Sequence, residues 1–225
     1  MQHMNLSQLL AVVRKDVLTE WRSRELLSSM FVFALLAVVV FHFAFDLRVE
    51  RIAEVAPGML WVTMAFAGIL GLNRSMSSEL EERRLDCLLL APMERSDLYL
   101  AKVLSNVLFL EVTALAMLPV FSMILDLNLL RPQIVLVTLL GTTGFAAVGT
   151  LLAAMATNTR AQEVLLPVLL FPIFLPAMLA SVRLTAGVLD GASSLSLAPW
   201  WRLLVAFDII SLLTAYLTFE FVVEG

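Results

Sequence analysis

Charge is what this sequence has least of. Only 15% of its 225 residues are Asp, Glu, Lys or Arg, against 60% hydrophobic residues. An ordinary soluble domain carries about a quarter charged residues, so the composition excludes that class and leaves an all-α integral membrane protein with no room for a separate soluble domain. Cysteine is nearly absent: Cys87 stands alone, which excludes an internal disulfide and any multi-cysteine metal site. No Gly-x-x-x-x-Gly-Lys-Ser/Thr run occurs, so the chain lacks the usual phosphate cradle for ATP. A net charge of −4 gives no reason to expect a nucleic-acid partner. No secretory leader pattern is present either, because Arg14, Lys15, Asp16, Glu20, Arg22, Arg24 and Glu25 precede the first long apolar run.

What is abundant is lipid-compatible sequence. A bilayer core of about 30 Å takes roughly 20 apolar residues per helix. Six segments qualify: Leu26–Phe45, Val55–Leu72, Val103–Leu125, Ile134–Ala156, Val164–Val182 and Leu203–Val223. The whole chain, 1–225, is thus expected to be one transmembrane domain of six helices. The second segment is the shortest and opens on Pro57-Gly58, which membrane helices tolerate. Six spans put both termini on one side. Of the 15 Lys and Arg residues, ten (Arg14, Lys15, Arg22, Arg24, Arg74, Arg83, Arg84, Arg95, Lys102 and Arg160) fall on that side. The remaining five, Arg48, Arg51, Arg131, Arg183 and Arg202, fall on the other, and the positive-inside bias makes the first side cytoplasmic.

Residues 5–24 are expected to form an amphipathic interfacial helix. Leu6, Leu10, Val13, Val17 and Trp21 recur at helical spacing, with Arg14, Lys15, Asp16 and Arg22 off that stripe. Residues 183–202, rich in small side chains, are expected to be an outer loop with short turns. The charge that the chain does possess gathers between the second and third spans. The 73–102 segment holds Arg74, Glu79, Glu81, Glu82, Arg83, Arg84, Asp86, Glu94, Arg95, Asp97 and Lys102, about a third of the total. Within it, Glu79 to Leu90 has good helix formers and neither Pro nor Gly, which predicts a short helix ending before Pro92. Leu80, Leu85, Leu88 and Leu89 gather on one side, and Glu79, Glu82, Arg83 and Asp86 on the other. Such a helix suits docking into the groove of a soluble partner, while a solvated loop, charged only to stay out of lipid, fits the composition equally well.

Few polar groups lie inside the spans. Glu111, about eight residues into the third, is a functional candidate by position, set against a protonated carboxyl bonded to a neighbouring helix. His42 is the only histidine within a span. Haem iron takes such ligands, but a lone interfacial histidine is more simply a polar anchor, and Trp200-Trp201 an aromatic belt. Gly149 and Ala153 form a small-xxx-small pair suited to close helix packing, inside the bundle or at a homodimer seam. Pro167, Pro172 and Pro176 each remove a backbone donor, so the fifth span is expected to be kinked or broken.

The order of these features resembles the ABC-2 exporter permeases: an amphipathic lead-in, two spans, a Glu-rich loop ending in Leu-Leu-x-x-Pro, then four spans. Glu79 stands at the leading acid of their signature, and Leu85, Leu88, Leu89 and Pro92 follow its apolar pattern, while Arg83 stands where glycine is usual. More narrowly, Ala56-Pro57-Gly58-Met59-Leu60-Trp61-Val62, Leu90-Ala91-Pro92 and Leu100-Ala101-Lys102-Val103 are similar to segments of the CcmB family of cytochrome c maturation permeases. The resemblance implies a non-catalytic membrane subunit in the bacterial cytoplasmic (inner) membrane. It implies pairing with a separate ATP-binding subunit, in two copies, through a cytoplasmic coupling helix made by Glu79, Leu80, Glu82, Leu85, Asp86, Leu88, Leu89 and Pro92. It further implies a second copy of the chain, a haem-handling membrane protein and a haem chaperone as partners. ATP-Mg would sit on the partner subunit, haem would be at most a cargo of the complex, and this chain would bind no cofactor of its own.

Two other readings stand beside it: an ABC-2 permease for another lipophilic cargo, and a secondary transporter. The latter predicts internal repeats and several buried ionisable groups; Glu111 is the main such group evident in the spans. The orientation has its own test: a topology reporter fused after Gly225 should read as cytoplasmic.

Overall fold

Without water to satisfy it, the backbone of a long apolar run folds as helix. The computed structural model describes residues 6–45, 51–81, 95–156 and 162–224, and all its described regular structure is helical. The helices are α1 (Leu6–Ser23), α2 (Glu25–Phe45), α3 (Ile52–Glu81), α4 (Arg95–Leu125), α5 (Pro132–Ala156), α6 (Gln162–Leu189) and α7 (Ser194–Glu224). All but α1 are long and apolar enough to cross a membrane. The protein is a multi-pass, all-α membrane protein with a short extra helix at its start.

The turns between helices have local causes. Arg24 takes a left-handed backbone, with φ of 54°, between α1 and α2, a conformation that side chains with a β-carbon rarely adopt. Its N–H closes α1 onto the Glu20 carbonyl at 2.7 Å. The Glu20 carboxylate then accepts the N–H groups of Leu26 and Leu27 at 3.3 and 2.8 Å, satisfying two of the open donors that begin α2. Between α4 and α5, Asp126 is left-handed (φ 52°), and the Ser122 hydroxyl accepts the Leu129 N–H at 3.1 Å. Between α6 and α7, Gly191 has φ of 71°, and the Ala192 N–H reaches back to the Gly187 carbonyl at 2.8 Å, a glycine-based helix stop.

Three sequence expectations change here. Asn73–Glu81 continues α3, and 95–102 belongs to α4, so only 82–94 of the supposed 73–102 loop lies outside the described residues. Residues 73–81 hold neither Pro nor Gly to stop the helix, and Arg74 on α3 pairs with Glu25 on α2. The expected outer loop at 183–202 is also mostly helix. Arg183–Leu189 completes α6 and Ser194 already opens α7, leaving residues 190–193 between them. There the Thr185 hydroxyl accepts the Trp61 indole N–H at 3.0 Å, and the Arg183 guanidinium lies 5.9 Å from the Trp200 ring centre. Pro199 falls in the second turn of α7 without ending it. Finally, of the expected kink or break in α6 the break is absent, since the helix runs on through Pro167, Pro172 and Pro176. Neighbouring helices stabilise such turns despite the missing donors.

The helix α5 sits at the centre, packed against α3, α4, α6 and α7. Its small residues make room for large ones: a β-carbon at Gly141 would collide with the Trp61 ring, and one at Gly149 with Leu72. The small-residue stripe therefore serves packing within the bundle. Phe145 meets Phe174 edge-on at 5.1 Å, and Phe174 meets Phe207 at 6.1 Å, joining α5, α6 and α7. Gly141→Ala should lower the thermal midpoint in detergent, at a cost of about 1–3 kcal/mol from overpacking. Gly58→Ala, whose β-carbon would meet nothing within 4 Å, should leave the midpoint unchanged or raise it.

Candidate functional site

The residues expected to meet a soluble partner begin at the end of α3. Glu79 and Leu80 lie in its last turns. Glu82, Leu85, Asp86, Leu88, Leu89 and Pro92 lie outside the described residues. What the structure shows is how both ends of this segment are anchored. On the α3 side, Arg74 pairs with Glu25 at the start of α2. On the α4 side, the Lys102 ammonium donates to both carboxylate oxygens of Asp16 at 3.1 and 3.0 Å. Lys15 approaches the same carboxylate at 3.0 Å. Around this pair, Val12 of α1 packs on Leu98 and Ala101 of α4, with Leu9 and Val13 beside them. Glu20 then ties α1 to α2 through its capping bonds. The helix ends flanking residues 82–94 are thus joined through the α1–α2 elbow in a closed circuit.

The Lys102–Asp16 pair was not evident from sequence, because 86 positions separate its members. Both side chains are nearly buried, at 7% and 8% exposure, so their charges are worth far more to each other than at a surface. Burial alone would raise the Asp16 pKa, but Lys102 and Lys15 outweigh it and hold the carboxyl below its ordinary 3.8. A carboxylate with a depressed native pKa stabilises the fold fully above its unfolded value and loses that contribution as pH falls through the native one.

Deeper in the bundle, half-buried Glu111 accepts a hydrogen bond from the Thr142 hydroxyl of α5 at 3.2 Å. This is the geometry of a carboxyl bonded to a neighbouring helix. Two residues further along α5, Gly144 faces Asp208 of α7, whose carboxylate occupies the space a β-carbon would need. Asp208 is 5% exposed, and neither of its oxygens has a partner among the described residues. The sequence reading missed it, although an acid six residues into an expected span was signal enough. Three further polar bonds hold the surroundings: Asn106 to Thr150 at 2.9 Å, Tyr99 to the Ala147 carbonyl at 2.8 Å, and Trp61 to Thr185. His42 sits beside the Phe43 ring at 5.7 Å, its Nδ1 unpartnered among the described residues. Among those residues no group of three His, Cys, Asp or Glu side chains comes together as a metal site.

Lys15 would still answer Asp16 if Lys102 were lost, but removing the Asp16 carboxylate leaves the Lys102 ammonium an uncompensated buried charge, at a cost of about 3–5 kcal/mol. Asp16→Leu should therefore lower the thermal midpoint at pH 7, and Lys102→Met in the same chain should recover most of the loss. As pH falls below 3.8, the wild type and the double variant should converge.

Residues 7–224 match the family described as CcmB protein. The chain is 27% identical to heme exporter protein B of Pseudomonas aeruginosa over 181 residues, which cover 80% of this chain and 81% of that protein. The same-named protein of Haemophilus influenzae is 24% identical over 182 residues, 80% and 82% of the two chains. That of Rhodobacter capsulatus is 28% identical over 160 residues, 71% and 73%. With the match running across all the described helices, the chain is a member of the CcmB protein family.

Proposed function

We propose that the chain is the membrane subunit of an ATP-driven export complex in cytochrome c maturation. In this reading it couples ATP hydrolysis on a separate subunit to haem delivery, or to release of a haem-loaded chaperone. The relatives' name, heme exporter protein B, supports the cargo assignment. The observation that carries the coupling role is the anchored circuit around residues 82–94. A push on that segment would reach α2 through Arg74–Glu25 and α1 through Lys102–Asp16. The contact surface for the ATPase would be Glu79, Leu80, Glu82, Leu85, Asp86, Leu88, Leu89 and Pro92, with Pro92 setting the exit toward α4. Two ATP-binding subunits, a second copy of this chain, a haem-handling membrane protein and a haem chaperone complete the assembly. The site is the bacterial inner membrane, with both termini and the 82–94 segment in the cytoplasm. ATP-Mg stays on the partner, and haem is cargo rather than a resident group.

Within this scheme Glu111 is a packing residue held by Thr142, and His42 an interfacial anchor. One observation favours a second reading, a proton-coupled secondary transporter: Asp208 adds a second acid to the membrane interior. The two readings separate on a single complex. Co-expressed with its ATP-binding subunit, the chain should copurify with it and raise its ATP turnover. Leu85→Ala with Leu89→Ala should cut that stimulation at least about tenfold, as loss of a few buried apolar anchors does in helix-in-groove contacts. An ATPase that neither binds nor responds overturns the ABC reading. Cells lacking the chain should lose holo-cytochrome c, and normal holo-cytochrome c there overturns the cargo assignment alone.

A further inference from the structure

The elbow between α1 and α2 opens a groove that the packing of the bundle leaves unfilled. It encloses about 370 Å³ against α4, within the range of small-ligand sites, roughly 300–1,000 Å³. Its floor is apolar, made by Leu27 and Phe31 of α2 with Val112 and Ala116 of α4, and Trp21 forms one wall. Trp21 is 74% exposed, the placement of an indole at the boundary between headgroups and acyl chains.

The mouth of the groove carries two charges, Glu20 and Arg24. They are not equivalent. The Glu20 carboxylate is engaged by the N–H groups of Leu26 and Leu27, so its charge is answered by the positive end of α2. Arg24 is exposed and its guanidinium has no partner among the described residues. Its left-handed backbone is an unfavourable conformation kept where the surroundings over-determine it, and here it stations the guanidinium at the mouth. The nearby cations follow the same division. Lys15 lies on Asp16, and Glu25 is taken by Arg74, whereas Arg14 and Arg22 on α1 are exposed and have no partner among the described residues. Arg14 and Arg22 line a separate hollow on α1, so the mouth carries one open guanidinium, that of Arg24, above an apolar slot.

We propose that this groove binds an anionic phospholipid, with one acyl chain laid along Leu27, Phe31, Val112 and Ala116 and the headgroup phosphate on Arg24. A guanidinium presents paired donors that match phosphate oxygens. The net negative headgroup selects this lipid over a zwitterionic one, since each arginine near the membrane surface contributes a factor of about five in affinity. The lipid fills the space between the elbow and α4, which holds the first contacts of α1 with the bundle. This proposal is independent of the cargo and of the ATPase.

The test uses the full chain with Trp200→Phe and Trp201→Phe, which leaves exposed Trp21 and buried Trp61. The protein is reconstituted in phosphatidylcholine vesicles, and acyl-brominated phosphatidylglycerol is titrated in, with brominated phosphatidylcholine as the comparison. Brominated phosphatidylglycerol should quench Trp21 at a mole fraction several-fold lower than brominated phosphatidylcholine, and a Trp21→Phe variant should lose that component. Arg24→Gln should remove about five-fold of the preference. Ala116→Phe, which fills the floor from an exposed helix face, should weaken quenching by both lipids and serves if Arg24→Gln does not fold. Equal quenching by the two headgroups, a preference unchanged in Arg24→Gln, or quenching unchanged in Ala116→Phe overturns the proposal. So does the absence of quenching by both lipids, the result if a protein segment or a second copy covers the groove.

Discussion

The close approach of four helices to α5 is the constraint on which the rest of the fold depends. In a membrane, helices gain little from expelling water, so association rests on contact distance and on polar bonds. Gly141 and Gly149 let the Trp61 ring and Leu72 of α3 come against the α5 backbone. Threonines on the same helix then meet partners at bonding distance, Thr142 with Glu111 and Thr150 with Asn106. The same closeness brings Asp208 against Gly144. Crowding and polarity are thus one arrangement, since a larger residue at either glycine would hold the hydrogen-bonding helices apart.

At the other extreme lies the α1–α2 elbow, where order comes from charge. Glu20, Glu25, Asp16, Arg74 and Lys102 form a chain of contacts that joins the start of α2, the end of α3 and the start of α4. Apolar contact there comes from a small cluster around Val12, Leu98 and Ala101, and from Leu26, Val17 and Leu27 on the main core. A region held by a few charge contacts can shift as a unit when one of them is altered, which a glycine-packed centre cannot do without collisions.

Several elements are legible in the residues alone. The six apolar runs are all helices, and each has at its core the segment that hydropathy marks. Helix ends are less legible. Local composition makes residues 73–78 look like loop because of their polar character, yet polarity there says only that a helix has left the lipid. Arg183–Leu189 looks like loop because small residues follow it, yet the Trp61–Thr185 bond and the Arg183–Trp200 contact hold it as helix. Three prolines in α6 do not break it, because the effect of a missing donor depends on which neighbours stabilise the turn. As for the candidate site, Glu111 is visible as an acid in an apolar run. Its partner Thr142 is not, since it lies on another helix 31 positions away.

By itself the sequence determined that this is a six-span membrane protein and placed its charge between the second and third spans, because length and hydropathy are sums over neighbouring residues. Its short motifs at residues 56–62 and 90–103 pointed to the CcmB family for the same reason, being contiguous. Only the tertiary structure decided which residues meet across the bundle: Lys102 with Asp16, Arg74 with Glu25, Asp208 with Gly144. Those pairings depend on how the helices cross and rotate about their axes. A buried charge finds its partner through distance in space, and no local pattern along the chain records that distance.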